Sequence, residues 1–174
     1  MRPERDEWLM QIAELVAHRG TCSRAQVGVV IAQGSRVLSI GYNGAPAGQP
    51  HCNHECNCGE IGNTWQRPEE LGTHHFAECR TAQSGCQIAI HAEANAIAYA
   101  ARLGTPLEGA TLYSTMSPCV ACAQLIIGTG IVKVFYRVEY RITDALSLLN
   151  ESSIETAHLK LVRKHPSAGN LGTA

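Results

Sequence analysis

Two hydrophobic periods alternate along the chain. Over about residues 5–18, Trp8, Ile12, Leu15 and Val16 recur at helical spacing and predict an amphipathic helix that stops near Gly20. Two β-branched runs follow, QVGVVIAQ and RVLSIGYN, separated by Gly34 and Ser35, the spacing of a tight hairpin. The pattern lapses from about 44 to 87, where glycine, proline, histidine, cysteine and charge dominate. It returns at Ile88, where IAIHAEANAIAYAARLG predicts a helix with Ala94, Ile97, Ala98 and Ala101 on one face and Gly104 at its end. ATLYST predicts a third strand, and Ser117 as cap with Pro118 behind it opens a helix through CVACAQLIIG. IVKVFYRV is the fourth predicted strand, ITDALSLLN a short helix with Thr143 as its cap, and HLKLV a short fifth strand.

A hairpin followed by strands alternating with helices implies a three-layer α/β/α sandwich around a mixed five-stranded sheet whose later strands are parallel. At 174 residues the chain has the size of one domain, expected over 1–165, with the insert at about 44–87 inside it and a frayed tail at 166–174. A patternless stretch as long as the insert needs something to order it, and a bound metal ion is the obvious tie.

Composition narrows the partners. Hydrophobic residues make up 45% and charged residues 17%, with a formal net charge of −1, so the basic surface demanded by long nucleic acids is missing and a small substrate is favoured. No run of about 20 apolar residues offers a membrane span. The first residues, MRPERDEWLM, are charged where a secretion signal would be apolar, so the expected location is cytoplasmic. In a reducing compartment, eight cysteines clustered with eight histidines point to thiolate–metal sites rather than disulfides.

Two short pieces carry the chemistry: HAE at 91–93 and SPCVAC at 117–122, each at the expected start of a helix. Cys119 and Cys122 are three apart and share a helical face, where the dipole and unpaired amides favour thiolates. With His91 they make a three-ligand zinc set that leaves a fourth position for water, the arrangement of a catalytic site. Glu93, two residues from a ligand, is placed to take that water's proton without ligating. Each piece alone has a plainer reading. Cys119 and Cys122 could be a redox pair or buried apolar thiols, His91 a hydrogen-bonded core histidine, and Glu93 a solvated carboxylate at a helix start. Together, HxE followed by PCxxC matches the zinc-deaminase signature.

Over roughly residues 5–140 the chain resembles the deoxycytidylate deaminase family of the cytidine deaminase superfamily. The likeness is carried by CSRAQVGVVI at 22–31, GYNGAPAGQPHC at 41–52, HAEANAI at 91–97 and GATLYSTMSPCVACAQLIIGTGI at 109–131. GYNGAP and the Cys/His-rich insert point to the deoxycytidylate branch. The resemblance implies the cytidine deaminase fold and attack of zinc-activated water on carbon 4 of a cytosine ring. Glu93 would protonate ring nitrogen 3 and then the departing amine, giving dUMP from dCMP.

The same resemblance implies that Asn43 contacts the sugar, with Gly44 and Ala45 in a backbone turn beside it, although Asn43-Gly44 is also a good turn dipeptide. Ala92 and Ser117 join the substrate set by their place in the two motifs. Tyr136 and Tyr140 are candidates to wall the pocket, the alternative for both being core packing. Arg24 is the candidate phosphate contact, or else a solvated surface arginine. A second, structural zinc is implied at Cys22 and Cys52 with His75 and Cys86, Cys79 being the competing ligand and Cys56 and Cys58 surplus to the scheme. Also implied are a homohexamer and control by dCTP and dTTP. A different substrate of the same chemistry (5-modified dCMP, dCTP or another nucleobase) and a non-catalytic zinc-stabilised binding module are the competing functions.

Overall fold

A computed structural model of the protein describes residues 2–22, 25–49, 89–141 and 143–160. Arg24, Cys52, His75 and Cys86, with most of the insert and the tail, lie outside the described residues.

Helix α1 spans Arg5–Ala17. Strands β1 (Gly28–Gln33) and β2 (Arg36–Tyr42) form the expected antiparallel hairpin. Next come α2 (Ala92–Leu103), β3 (Thr111–Met116), α3 (Val120–Ile127), β4 (Lys133–Val138), α4 (Asp144–Glu151) and β5 (Glu155–His158). The sheet order is β2-β1-β3-β4-β5. β1 is antiparallel to both neighbours, whereas β3, β4 and β5 run parallel, as strands joined by helical crossovers must.

Alternation along the central strands sorts side chains onto two faces. Val29, Ile31, Leu112 and Val134 point to a core completed by Ala92, Ala96 and Ala100 of α2, Ala123 and Ile126 of α3, and Ala145 and Leu149 of α4. Val30, Ala32, Tyr113 and Phe135 point the other way, onto Leu9, Met10 and Ala13 of α1. The result is the three-layer sandwich with a mixed five-stranded sheet. β1 is buried at five of its six positions because helices cover both of its sides.

The helices turn different faces inward from those their hydrophobic spacing predicts. α1 buries Leu9, Met10, Ala13 and Ala17, leaving Trp8 and Leu15 exposed and Ile12 and Val16 at the margin. The cause is close approach: a Cβ on Gly28 would stand 2.1 Å from the Ala13 carbonyl oxygen, so only small side chains fit on that side of the helix. α2 likewise buries Ala92, Glu93, Ala96 and Ala100, not the face of Ala94, Ala98 and Ala101. It lies against Gly41 of β2, where a Cβ would meet the Ala92 carbonyl oxygen at 2.2 Å and the Ala96 nitrogen at 2.5 Å.

Three boundaries also move. β5 begins at Glu155 and ends at His158, so the HLKLV strand is displaced toward the N-terminus. Buried Ile154 anchors the start, and the Glu155 carboxylate pairs with Lys133 of β4 at 2.6 Å. α3 is capped by Cys119 rather than Ser117, whose hydroxyl is occupied elsewhere. Thr143 is the N-cap residue of α4 but makes no side-chain cap hydrogen bond. Among the described residues no helix is long and apolar enough to cross a membrane.

A metal centre between two helix starts

The sheet brings the beginnings of α2 and α3 together. His91 is the N-cap residue of α2, Cys119 that of α3, and Cys122 stands one turn into α3. Both helices therefore aim the positive ends of their dipoles at one spot, which favours thiolate there. His91 Nδ1 lies 3.4 Å from the sulfur of Cys119 and 3.4 Å from that of Cys122, and one ligand atom from each of the three residues falls within 4.8 Å of the others. At ordinary Zn–S and Zn–N bond lengths a tetrahedral ion needs nitrogen and sulfur about 3.5 Å apart, so two sulfurs and an imidazole at this spacing suit zinc.

Four ties hold α2 in this position against β2. Gly44 and Ile90 exchange backbone hydrogen bonds of 3.2 and 2.9 Å. The Asn95 side chain donates to the Tyr42 carbonyl at 2.8 Å, and the buried Ser39 hydroxyl donates to the Ala96 carbonyl at 2.7 Å. The fourth is the close contact at Gly41.

Glu93, in the first turn of α2, is 4% exposed. Burial pushes its carboxyl above its ordinary value; its own backbone N–H, the charge of His91 and a hydrogen bond with Cys122 offset this only in part. The two sulfurs share a proton. A hydrogen bond from Cys122 holds the Cys119 thiol down to about 4, and the same bond, with burial, pushes the Cys122 thiol up. With a divalent cation between them both act as thiolates.

A pocket opens over this group. Its wall includes Cys22, Asn43, His91, Ala92, Glu93, Ser117 and Cys119, and a segment after β4 made of Glu139, Tyr140 and Arg141. Asn43 is held by its own amide: the side-chain oxygen accepts from the Val27 N–H at 2.8 Å and the nitrogen donates to the Ala25 carbonyl at 2.8 Å. Gly44 and Ala45 are not on the wall; Gly44 instead ties β2 to the residue before His91. Tyr136 is also absent from it. That ring is buried in the sheet, stacked on His158 with centroids 5.4 Å apart, and Tyr140 takes the wall position. Cys22 is buried at the pocket.

The model of the cytidine and deoxycytidylate deaminase zinc-binding region matches residues 3–138, most of the chain. The chain belongs to the cytidine and deoxycytidylate deaminase family. It is 39% identical over 138 residues to the deoxycytidylate deaminase of Mycobacterium phage D29, covering 79% of this chain and 98% of that protein. It is 38% identical over 151 residues to the deoxycytidylate deaminase of Enterobacteria phage T4, covering 76% and 77%. A crystal structure of dCMP deaminase from the cyanophage S-TIM5, in complex with dCMP and dUMP, superposes with a TM-score of 0.70 at 29% identity, over 91% of this chain and 99% of that one. As a deaminase of this family the chain is a zinc enzyme, and His91, Cys119 and Cys122 are the group among the described residues that fits the ion.

Glu139 and Arg141 escaped the sequence reading. They follow a strand end and belong to no motif; the only available signal was Tyr140 between them.

Proposed function

We propose that the protein catalyses the hydrolytic deamination of dCMP to dUMP with release of ammonia. The observation that carries this reading is a buried carboxylate, Glu93, set beside two thiols and an imidazole on the wall of one open pocket. The binding of dCMP and dUMP by the S-TIM5 relative supports the choice of substrate.

Bound by His91, Cys119 and Cys122, zinc supplies a Lewis acid that makes water a nucleophile near neutral pH. Glu93 takes the proton of that water as the oxygen joins carbon 4 of the cytosine ring. It delivers protons to ring nitrogen 3 and to the amine, and the C4–N bond breaks to release ammonia. A carboxyl raised by burial suits a group that must both accept and return a proton. Asn43, its side chain fixed by two backbone partners, presents a rigid edge to the sugar. Ser117 and Ala92 shape the wall between sugar and metal group.

A second, structural zinc held by Cys22, Cys52, His75 and Cys86 belongs to the same reading; the burial of Cys22 suits a ligand. Elemental analysis giving two zinc ions per chain supports it, and one ion removes it. Arg24 remains a proposed phosphate contact. Assembly into a homohexamer controlled by dCTP and dTTP follows from the family resemblance. The exposed apolar side chains Tyr99, Leu103 and Leu125 on α2 and α3 support assembly, which size-exclusion chromatography with and without dCTP tests. A thiolate-bound metal suits a reducing, cytoplasmic setting.

Steady-state kinetics on dCMP, dCTP, deoxycytidine and 5-methyl-dCMP test the proposal. dCMP is expected to have the highest kcat/KM. A higher value for another substrate moves the assignment within the same chemistry, and no turnover of any of the four leaves a zinc-stabilised binding module.

A further inference from the structure

We infer that Arg141 is a specificity-determining residue that grips the substrate phosphate at the pocket mouth, so that the site selects nucleotide over nucleoside. The inference rests on the deaminase reading above.

The segment Glu139–Arg141 is not a loose loop end. The Ser117 N–H donates to the Val138 carbonyl at 2.8 Å, and the Tyr140 N–H donates to the Ser117 hydroxyl at 2.7 Å. Ser117 is buried, two residues before Cys119, so these bonds lock the segment to the start of α3 and hence to the metal group. The distance from the reacting end of the pocket to the mouth is thereby set by a short run of hydrogen-bonded chain.

Charge on the wall is asymmetric. Among the described residues lining the pocket the ionisable groups are His91, Glu93 and the two cysteines at the reacting end, and Glu139 and Arg141 in the segment after β4. Arg141 is the one lysine or arginine among them. Of its two neighbours, Glu139 is turned to the Tyr136 phenol, which hydrogen-bonds with it, and Tyr140 lies beneath the guanidinium, whose carbon is 5.7 Å from the ring centroid. That contact limits the arginine's rotamers and presents a planar fork of N–H donors. A cytosine ring that reaches Glu93 must leave its 5′ substituent at the mouth. A phosphate there would otherwise meet two carboxylates, and the guanidinium is the group on this wall able to bind it in a bidentate manner.

The test uses the full chain loaded with zinc, as wild type, Arg141→Gln, Arg141→Lys and Arg102→Gln, the last removing an exposed arginine at the far end of α2 as a control for net charge. Calorimetry measures binding of dUMP and of deoxyuridine, and kinetics measure kcat/KM for dCMP and deoxycytidine. In Arg141→Gln, dUMP affinity and the preference for dCMP over deoxycytidine should both fall about ten- to a hundredfold, the range of a charge-assisted hydrogen bond. Arg141→Lys should fall in between, and Arg102→Gln should keep the wild-type preference. A preference within twofold of wild type in Arg141→Gln, or an equal loss on nucleotide and nucleoside, overturns the inference while leaving the deaminase reading intact. A wild-type protein that neither turns over dCMP nor binds dUMP overturns that reading, and the inference with it.

Discussion

Gly41→Ala adds one methyl group at the point where β2 meets the first turn of α2. The new Cβ would stand 2.2 Å from the Ala92 carbonyl oxygen, 2.5 Å from the Ala96 nitrogen and 2.9 Å from the Ala96 Cβ, all in a regular helix that cannot yield locally. Ordinary contact begins at 3.4 Å, so the start of α2 has to retreat by roughly 1 Å. Overpacking of this kind costs about 1–3 kcal/mol of stability. The larger effect is on chemistry, because the retreating turn carries His91 and Glu93 while Cys119 and Cys122 stay on α3. A displacement of about 1 Å in a reacting group lowers rates on the order of a hundredfold. The assay is kcat/KM on dCMP with zinc content and thermal midpoint measured on the same sample. A large loss of kcat/KM with a midpoint lowered by only about 2–10 °C is expected for a chain of this length. Wild-type kcat/KM in Gly41→Ala would refute the claim that this contact positions the site.

Arg137 offers a test of how the two layers are joined. Its buried guanidinium reaches Glu7 at 2.6 Å and Glu14 at 2.7 Å on α1, and the carbonyls of Leu159 and Lys160 beyond β5 at 2.7 and 3.0 Å. Arg137→Leu strands both carboxylates, but Glu14 is 36% exposed and can rehydrate, so the cost is about 2–3 kcal/mol and thermal unfolding should start roughly 5–10 °C lower; an unchanged midpoint contradicts the assignment. Tyr113 predicts alkaline behaviour. Burial, and then the hydrogen bond it donates to Asp6 at 2.8 Å, raise the phenol above its ordinary value of 10.0. The stabilisation is thus complete below about pH 10 and is lost as pH climbs through the raised folded value. Wild type should unfold more easily above pH 10 and Tyr113→Phe should show a shallower decline, whereas parallel curves of stability against pH would remove the assignment.

The parts of the account visible in the sequence were those with short-range signatures. β1 and β2 announced themselves by β-branched residues on either side of a two-residue turn, and His91, Glu93, Cys119 and Cys122 by fixed spacings at helix starts. The buried faces of α1 and α2 did not, because tight packing against Gly28 and Gly41 selects alanine, which hydrophobic spacing does not weigh against Leu15, Val16 or Ile97. Tyr136 and Tyr140 were equal candidates for the pocket wall. Only the sheet shows that Tyr136 stacks on His158 while Tyr140 follows the strand end outward. Arg141 enters the site through the Ser117–Tyr140 hydrogen bond, a contact between segments 23 residues apart that no local pattern encodes.

The central claim is that Glu93 carries protons beside a zinc ion held by His91, Cys119 and Cys122. Its most direct test is Glu93→Gln, which keeps shape and hydrogen-bonding capacity but cannot accept the proton of water. With zinc stoichiometry equal to wild type, kcat on dCMP should fall about a hundred- to ten-thousandfold. Wild-type turnover in the zinc-loaded variant would contradict the account.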